Sequence, residues 1–392
     1  MKYDFDKKTD RTGTGSVKWD FAGDALPMWV ADMDFESFPG IKEAVLKRAG
    51  HGIYGYTYAE KEWGDAYANW WRTRHSFDFD PKRLVFVTGI VPVISSAVRK
   101  LTTVGENVLI QTPVYPVFFN SILNNGRTVV ENKLLYDSET GLFSIDWDDL
   151  EKKLSDPQTT LMVLCNPQNP TGNIWDRETL SRIGELCEKN GVCVVSDEIH
   201  CDITAPGKEY VPFLSASETN RRIGVACISP TKTFNIAGVQ TAAFLALDPK
   251  LHHKVWRQVN TDEVAEGNCF TYDAAIAAFT PEGAEWLDEL REYLWDNRRF
   301  AEEFIRNDIS VLKTVPSDAS YLMWVDCSGI TDDSNRLVDD LKKKAKVFFN
   351  PGADFGGCGN SFIRINLACP REMLKEALDR LKSGIESVSN ER

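Results

Sequence analysis

The chain has 392 residues, enough for two domains and a large core, with 43% hydrophobic and 26% charged residues and no low-complexity tract. Its formal net charge of −13 argues against a polyanion, nucleic acid or an acidic membrane surface, as the main partner, but allows a local basic pocket for a small anion. The nine cysteines are odd in number and show no C-x-x-C spacing, and the five histidines form no zinc-ligand pattern with them. We read the cysteines as reduced core residues of a cytoplasmic protein without a bound metal. The start of the chain lacks an apolar signal region, and no stretch is apolar enough to span a membrane.

Residues 1–40 read as irregular, and within them Pro27-Met28-Trp29-Val30-Ala31-Asp32-Met33-Asp34-Phe35 mixes apolar and acidic residues. That segment fits either a strap docked on the core or a loop lining a pocket. A short helix follows at 41–48, then the tyrosine-rich Ile53-Tyr54-Gly55-Tyr56-Thr57-Tyr58, then an amphipathic helix over 60–74. Leu84–Thr88 reads as a strand that is broken by Gly89, with a helix from Ile90 to Leu101. A strand, a glycine and a helix start make a candidate anion site from backbone N–H groups and the helix dipole.

Strands and helices continue to alternate. Strands are expected at 108–110, 128–132, 161–165, 192–195, 223–228 and 242–247, with helices ending near 123 and over 146–154, 177–190 and 251–259, which predicts a largely parallel sheet. Asn166-Pro167-Gln168-Asn169-Pro170-Thr171-Gly172, dense in turn formers, leaves the strand that ends at Cys165. Asp197 directly follows four apolar strand residues, so its carboxylate lies near the sheet end and needs a partner: a loop N–H, an arginine or a cation on a ligand. Lys232 emerges in Ser229-Pro230-Thr231-Lys232-Thr233-Phe234-Asn235, at the strand edge where open α/β sheets place ligands. A lysine there is either a surface ammonium or a desolvated amine that attacks carbonyls.

From about Ala274 the character changes. A long helix is expected over 283–307, with strands near 322–325 and 347–349, a helix near 335–344, and a final strand and helix. In Phe362-Ile363-Arg364-Ile365-Asn366, Arg364 falls on the polar face, which is usually solvated but can hold a carboxylate.

An acid, an amine and an anion site can therefore meet at one sheet edge, which is what pyridoxal phosphate chemistry requires. The ordered set NPQNPTG, SDEIH, SPTKTFN and FIRIN resembles the fold-type I pyridoxal phosphate enzymes of the aspartate aminotransferase superfamily over nearly the whole chain. PMWVADMDF, IYGYT, TGIVP, TPVYPVF and the glutamine in KTFNIAGVQ resemble its C–S β-lyase branch, the MalY/PatB or cystathionine β-lyase group. The resemblance implies an α/β fold: a three-layer large domain, residues 46–279, with a mostly parallel seven-stranded sheet. A smaller α+β domain is then built from residues 1–45 and 280–392. It implies pyridoxal 5'-phosphate as cofactor, Lys232 as the Schiff-base lysine, Asp197 on the ring nitrogen and Asn169 on the phenolic oxygen. It further implies phosphate binding by Gly89, Ile90 and Ser229, with Tyr56 supplied by the other subunit of a homodimer, and Tyr115 stacked on the ring. Arg364 is implied to hold the carboxylate of a small amino-acid substrate, with Asn169, Val30 and Ala31 beside it. His200 stands where the aminotransferases carry a tyrosine, and Gln240 where they carry a phosphate-binding arginine. The activity expected is α,β-elimination from a cysteine S-conjugate to a thiol, pyruvate and ammonia. The alternatives are an aminotransferase of class I/II or a regulatory protein on the same fold, direct DNA regulation being disfavoured because no basic helix-turn-helix extension is seen.

Overall fold

The computed structural model describes residues 2–390. Its centre is a sheet of seven strands: β1 (Leu84–Val87), β2 (Asn107–Thr112), β3 (Thr128–Lys133), β4 (Thr159–Cys165), β5 (Cys193–Asp197), β6 (Gly224–Ile228) and β7 (Ala242–Leu245). The strand order is β1-β7-β6-β5-β4-β2-β3. All neighbours are parallel except β7, which runs antiparallel to both β1 and β6. The expectation of a mostly parallel seven-stranded sheet holds.

Continuous apolar runs such as Leu161–Cys165 arise because both faces of the sheet are covered. Alternation along each strand then decides which core a residue joins. Val108, Ile110, Leu161, Val163 and Val195 face a core shared with helix α1 (Ile90–Leu101) and helix Pro249–Thr261. Leu109, Met162, Leu164 and Val194 face the opposite core, shared with helices Lys61–His75, Arg177–Lys189 and Thr271–Ala278. In α1 the buried stripe is Ile90, Val93, Ile94, Ala97 and Val98, at the spacing of a single helix face.

A second, antiparallel sheet is ordered β8-β9-β11-β10, from β8 (Lys313–Thr314), β9 (Leu322–Asp326), β10 (Asn350–Pro351) and β11 (Phe362–Asn366). Its core combines Met323, Val325, Ile363 and Ile365 with Ile305 of helix α2 (Pro281–Asp308), Leu374, Leu378 and Leu381 of helix α3 (Arg371–Asn390), and Met28 from the start of the chain. Leu26–Pro27 pairs in parallel with Val347–Phe348, which anchors the N-terminal segment here.

Several elements depart from expectation. Helix Thr271–Ala278 is absent from the sequence reading because its alanine-rich segment has no polar face to reveal a period. The helix expected at 335–344 is α-helical only over Ser334–Asp340 and continues as a wider π turn, Leu341–Ala345. The segment 1–40 is not wholly irregular: Val17–Asp20 is a helical turn capped by Ser16.

The loop after β4 shows how tightly the sheet edge is built. Gly172 has φ +75°, its N–H donates to Gln168 O at 2.7 Å, and its carbonyl accepts from the backbone N–H groups of Asp318 and Ala319, each at 3.1 Å. A Cβ here would stand 1.8 Å from Ser317 Oγ and 2.8 Å from Ala319 O. Replacing Gly172 by alanine combines left-handed strain with a clash, so Gly172→Ala is expected to cost about 2 kcal/mol or more. A thermal unfolding midpoint equal to the parent's would contradict that packing.

Candidate active site

The carboxyl ends of β4, β5 and β6 deliver Asn169, Asp197 and Lys232 to one cavity of about 390 Å³. Arg364 reaches the same cavity from β11, and Gly89 and Ile90 from the start of α1.

The loop bearing Lys232 is fixed on both sides. Ser229 Oγ donates to Thr241 O and pairs with Thr231 Oγ1, both at 2.7 Å. Phe234 is fully buried and stacks on Trp286 at 5.6 Å. Asn235 adopts φ +56° and accepts from the Met33 backbone N–H at 2.9 Å. Lys232 Nζ donates to the Ala31 carbonyl at 2.5 Å. Burial pushes the ammonium down to about 8, Arg364 adds to that, and Asp32 and Asp197 oppose it. Lys232 is half-buried rather than an exposed surface ammonium.

Asp197 is buried, and its Oδ1 accepts the Ile199 N–H at 3.1 Å. The loop N–H foreseen as a partner is therefore present, yet burial still raises the carboxyl to about 7 against that bond and Lys232. His200 is buried with Nδ1 unpartnered. Burial, then Lys232 and Arg364, push its imidazole down to about 3.

Of the two alternatives open to Arg364, the solvated face is not the one found: the residue is 4% exposed. It donates to Asn169 Oδ1 at 3.0 Å, Asn350 Oδ1 at 2.6 Å and the Trp29 carbonyl at 3.1 Å, while its Nε has no partner. All three acceptors are neutral, and among the described residues no carboxylate forms an ion pair with it. Burial lowers the guanidinium to about 10.

Gly89 caps α1 without a side-chain hydrogen bond, in extended backbone with φ 178°. The first N–H groups of α1 are thus left for a ligand, as at other helix N-termini. Tyr115, Val30 and Ala31 also line the cavity. Ser229 does not: it lies beneath Thr231, which does. Tyr56 is fully exposed and lies at a separate depression of about 910 Å³ that contains none of Lys232, Asp197 or Arg364.

Several contributors have no signature in the chain's periodicity. Asn350 holds Arg364, and Tyr321 OH donates to the Ala31 carbonyl at 3.0 Å. Trp29, Thr88, Ile199 and Gln240 also line the cavity. The segment 27–35 is the pocket-lining loop, one of its two foreseen roles, and it is docked on the core as well.

These groups fit pyridoxal phosphate. An amine with a lowered pKa, a buried carboxylate, an uncapped helix start and an arginine lacking a carboxylate occupy one cavity.

The sequence model of aminotransferase class I and II matches residues 26–381. The chain belongs to that family. Within it the similarity runs to lyases. Cystathionine beta-lyase PatB of Bacillus subtilis is 41% identical over 97% of this chain and 99% of its own length. A pyridoxal-phosphate-bound C–S lyase from Staphylococcus hominis superposes with a TM-score of 0.91 at 31% identity, covering 98% of this chain and 99% of that one. A pyridoxal-phosphate-bound putative aminotransferase from Clostridium difficile superposes with a TM-score of 0.94 at 36% identity, covering 98% and 100%. Pyridoxal phosphate is the cofactor of this family member.

The buried imidazole links the site to stability. An unfolded histidine takes up its proton near 6.5, whereas folded His200 resists until about 3. Acidification across that window therefore favours the unfolded chain. In the apoprotein, the thermal midpoint is expected to fall faster between pH 7 and pH 4 for the parent than for His200→Asn. Equal slopes would mean that His200 is hydrated and freely protonated.

Proposed function

We infer that the protein is a pyridoxal-phosphate-dependent C–S β-lyase. Its substrates are cystathionine or other cysteine S-conjugates, and its products are a thiol, pyruvate and ammonia. The observation that carries this reading is Arg364: a buried guanidinium without a carboxylate, beside an amine whose pKa is lowered to about 8. An α-amino acid presents the carboxylate that Arg364 lacks and an amine within reach of Lys232. PatB, named a cystathionine beta-lyase, and the Staphylococcus hominis C–S lyase support elimination as the chemistry.

When bound, pyridoxal phosphate would be held by Lys232, with Asp197 available to its ring nitrogen, Asn169 to its phenolic oxygen, the first N–H groups of α1 to its phosphate and Tyr115 to its ring. Pyridoxal phosphate, when bound, supplies the sink for the electron pair released at Cα. Arg364, backed by Asn350 and Asn169, fixes the substrate carboxylate and so sets the direction of the Cα–H bond. Lys232 Nζ, its pKa lowered to about 8, accepts that proton in its free-base form. The Cβ–S bond then breaks with its electrons on sulfur, and the thiolate takes up a proton as it leaves. Water converts the remaining three-carbon fragment to pyruvate and ammonia.

The protein acts as a cytoplasmic homodimer in this reading. All nine cysteines are free, and the fully exposed Tyr56 lies among further exposed aromatics, Tyr54 and Tyr58, that a second subunit would cover. Tyr56 then reaches the phosphate in the neighbouring copy's cavity. Residues 46–279 form the cofactor-holding unit, and 1–45 with 280–392 the unit that brings Arg364.

The holoenzyme is expected to release pyruvate from cystathionine. Lys232→Ala is expected to lose both the visible absorbance of the lysine–cofactor linkage and turnover, and full activity in that variant would refute the assignment. Turnover of alanine or glutamate with a keto-acid acceptor in place of pyruvate release would make the protein an aminotransferase. Arg364→Gln is expected to raise KM by about 100-fold, since removing one partner of a buried charged contact costs about 2–5 kcal/mol. An unchanged KM would place the substrate carboxylate elsewhere.

A further inference from the structure

Lys18 is the most deeply buried lysine of the described chain, 1% exposed, and it lies in the N-terminal segment. Its Nζ sits 2.6 Å from Asp34 Oδ2 and 3.5 Å from Asp32 Oδ1, and it donates to the Asp32 carbonyl at 3.2 Å. Its own carbonyl accepts the Trp29 indole N–H at 2.9 Å. Arg11 completes the cluster through Asp32 Oδ2 at 2.7 Å and Asp34 Oδ1 at 2.8 Å. Two cations and two carboxylates make the cluster neutral as a whole.

A buried ion pair is weak evidence for stability, because well-packed apolar side chains often serve as well. Here it has a specific geometric object. Five consecutive carbonyls, from Trp29 to Met33, each accept a side-chain donor. Trp29 O takes Arg364, Val30 O takes Asn366, and Ala31 O takes Lys232 and Tyr321. Asp32 O takes Asn366 and Lys18, and Met33 O takes Arg11 and Asn235. This bent segment belongs to no sheet, and its only backbone bond among these carbonyls runs from Asp32 N–H to Val30 O at 2.9 Å, so side chains fix where the rest point. Lys18 and Arg11 supply that constraint from the side away from the cavity, and Arg364 and Lys232 meet it from the cavity side.

We propose that Lys18, with Arg11, is a positioning residue for amino-acid binding: the buried Lys18–Asp34–Arg11–Asp32 cluster fixes strap 29–33, whose carbonyls orient Arg364 and Lys232. The inference rests on the reading of Arg364 as the carboxylate ligand. Lys18 touches neither substrate nor cofactor. Losing it lets the strap drift, Arg364 loses the Trp29 carbonyl, and the substrate carboxylate is held less well.

The test uses holoenzyme and 2-aminoisobutyrate, which carries the amine and the carboxylate but no Cα proton, with its dissociation constant read from the absorbance change. In Lys18→Met the constant is expected to rise about tenfold, with KM rising in step and kcat within about threefold, while the thermal midpoint falls because Asp34 is left with Arg11 alone as its cation. Arg11→Gln, at a less buried position, is expected to show a smaller rise in the same two quantities. Unchanged binding in a folded Lys18→Met protein overturns the proposal, as does a fall in kcat with KM unchanged. If Lys18→Met fails to fold, Arg11→Gln decides alone, and unchanged binding there overturns it. Arg364→Gln separates the two levels. Weakened binding in that variant but not in Lys18→Met removes the role of Lys18 and leaves the site reading intact, whereas unchanged binding in both removes both.

Discussion

A lysine amine, an aspartate carboxylate and an arginine guanidinium share one cavity without forming an ion pair among themselves. Each has been taken out of water, and each is shifted toward its neutral form: Lys232 to about 8, Asp197 to about 7 and Arg364 to about 10. Removing charges from water without pairing them is unfavourable. Their hydrogen-bond partners are neutral amides and carbonyls, so the protein does not pair their charges directly. A ligand that brings a cation for Asp197, a carbonyl carbon for Lys232 and carboxylates or phosphates for Arg364 and the start of α1 does. The preference of the site for a cofactor and an amino acid follows from that incompleteness.

The fold makes this arrangement possible by division of labour. Parallel strands end side by side, so Asn169, Asp197 and Lys232 reach one edge although they are far apart in the chain. The antiparallel sheet adds Arg364 from a different direction. A single sheet edge would hold a planar ring but could not also grip a substrate above it. The strap 29–33 ties the two sheets together, since its carbonyls bond to Lys232 and Asn235 beyond the end of β6 and to Arg364 and Asn366 on β11.

The sequence made the large sheet legible because its strands are uninterrupted apolar runs bounded by turn formers. It made the site legible where a functional residue directly follows such a run, as Asp197 and Lys232 do. Arg364 was marked only by its motif, because alternation assigned it to a face that is ordinarily wet. Its burial depends on Trp29 and Asn350, residues hundreds and a dozen positions away, and no local pattern contains that information. Helix Thr271–Ala278 escaped for the opposite reason: both of its sides are apolar. Ser229 and Thr231 show a finer limit. Neighbouring hydroxyls look interchangeable in sequence, and only the backbone turn decides which one faces the cavity.

The reversed strand β7 has a consequence for the order in which the protein can be made. β1 leads into Gly89 and α1, yet it is an edge strand whose partner in the sheet is β7. As the chain leaves the ribosome, β1 emerges early and waits for Ala242–Leu245, more than 150 residues later, before it can dock. The Gly89 and Ile90 end of the cavity is therefore assembled after the strands that carry Asp197 and Lys232, and Arg364 follows later still. A nascent chain stalled before residue 242 would expose an unpaired apolar strand, a natural target for chaperone holding.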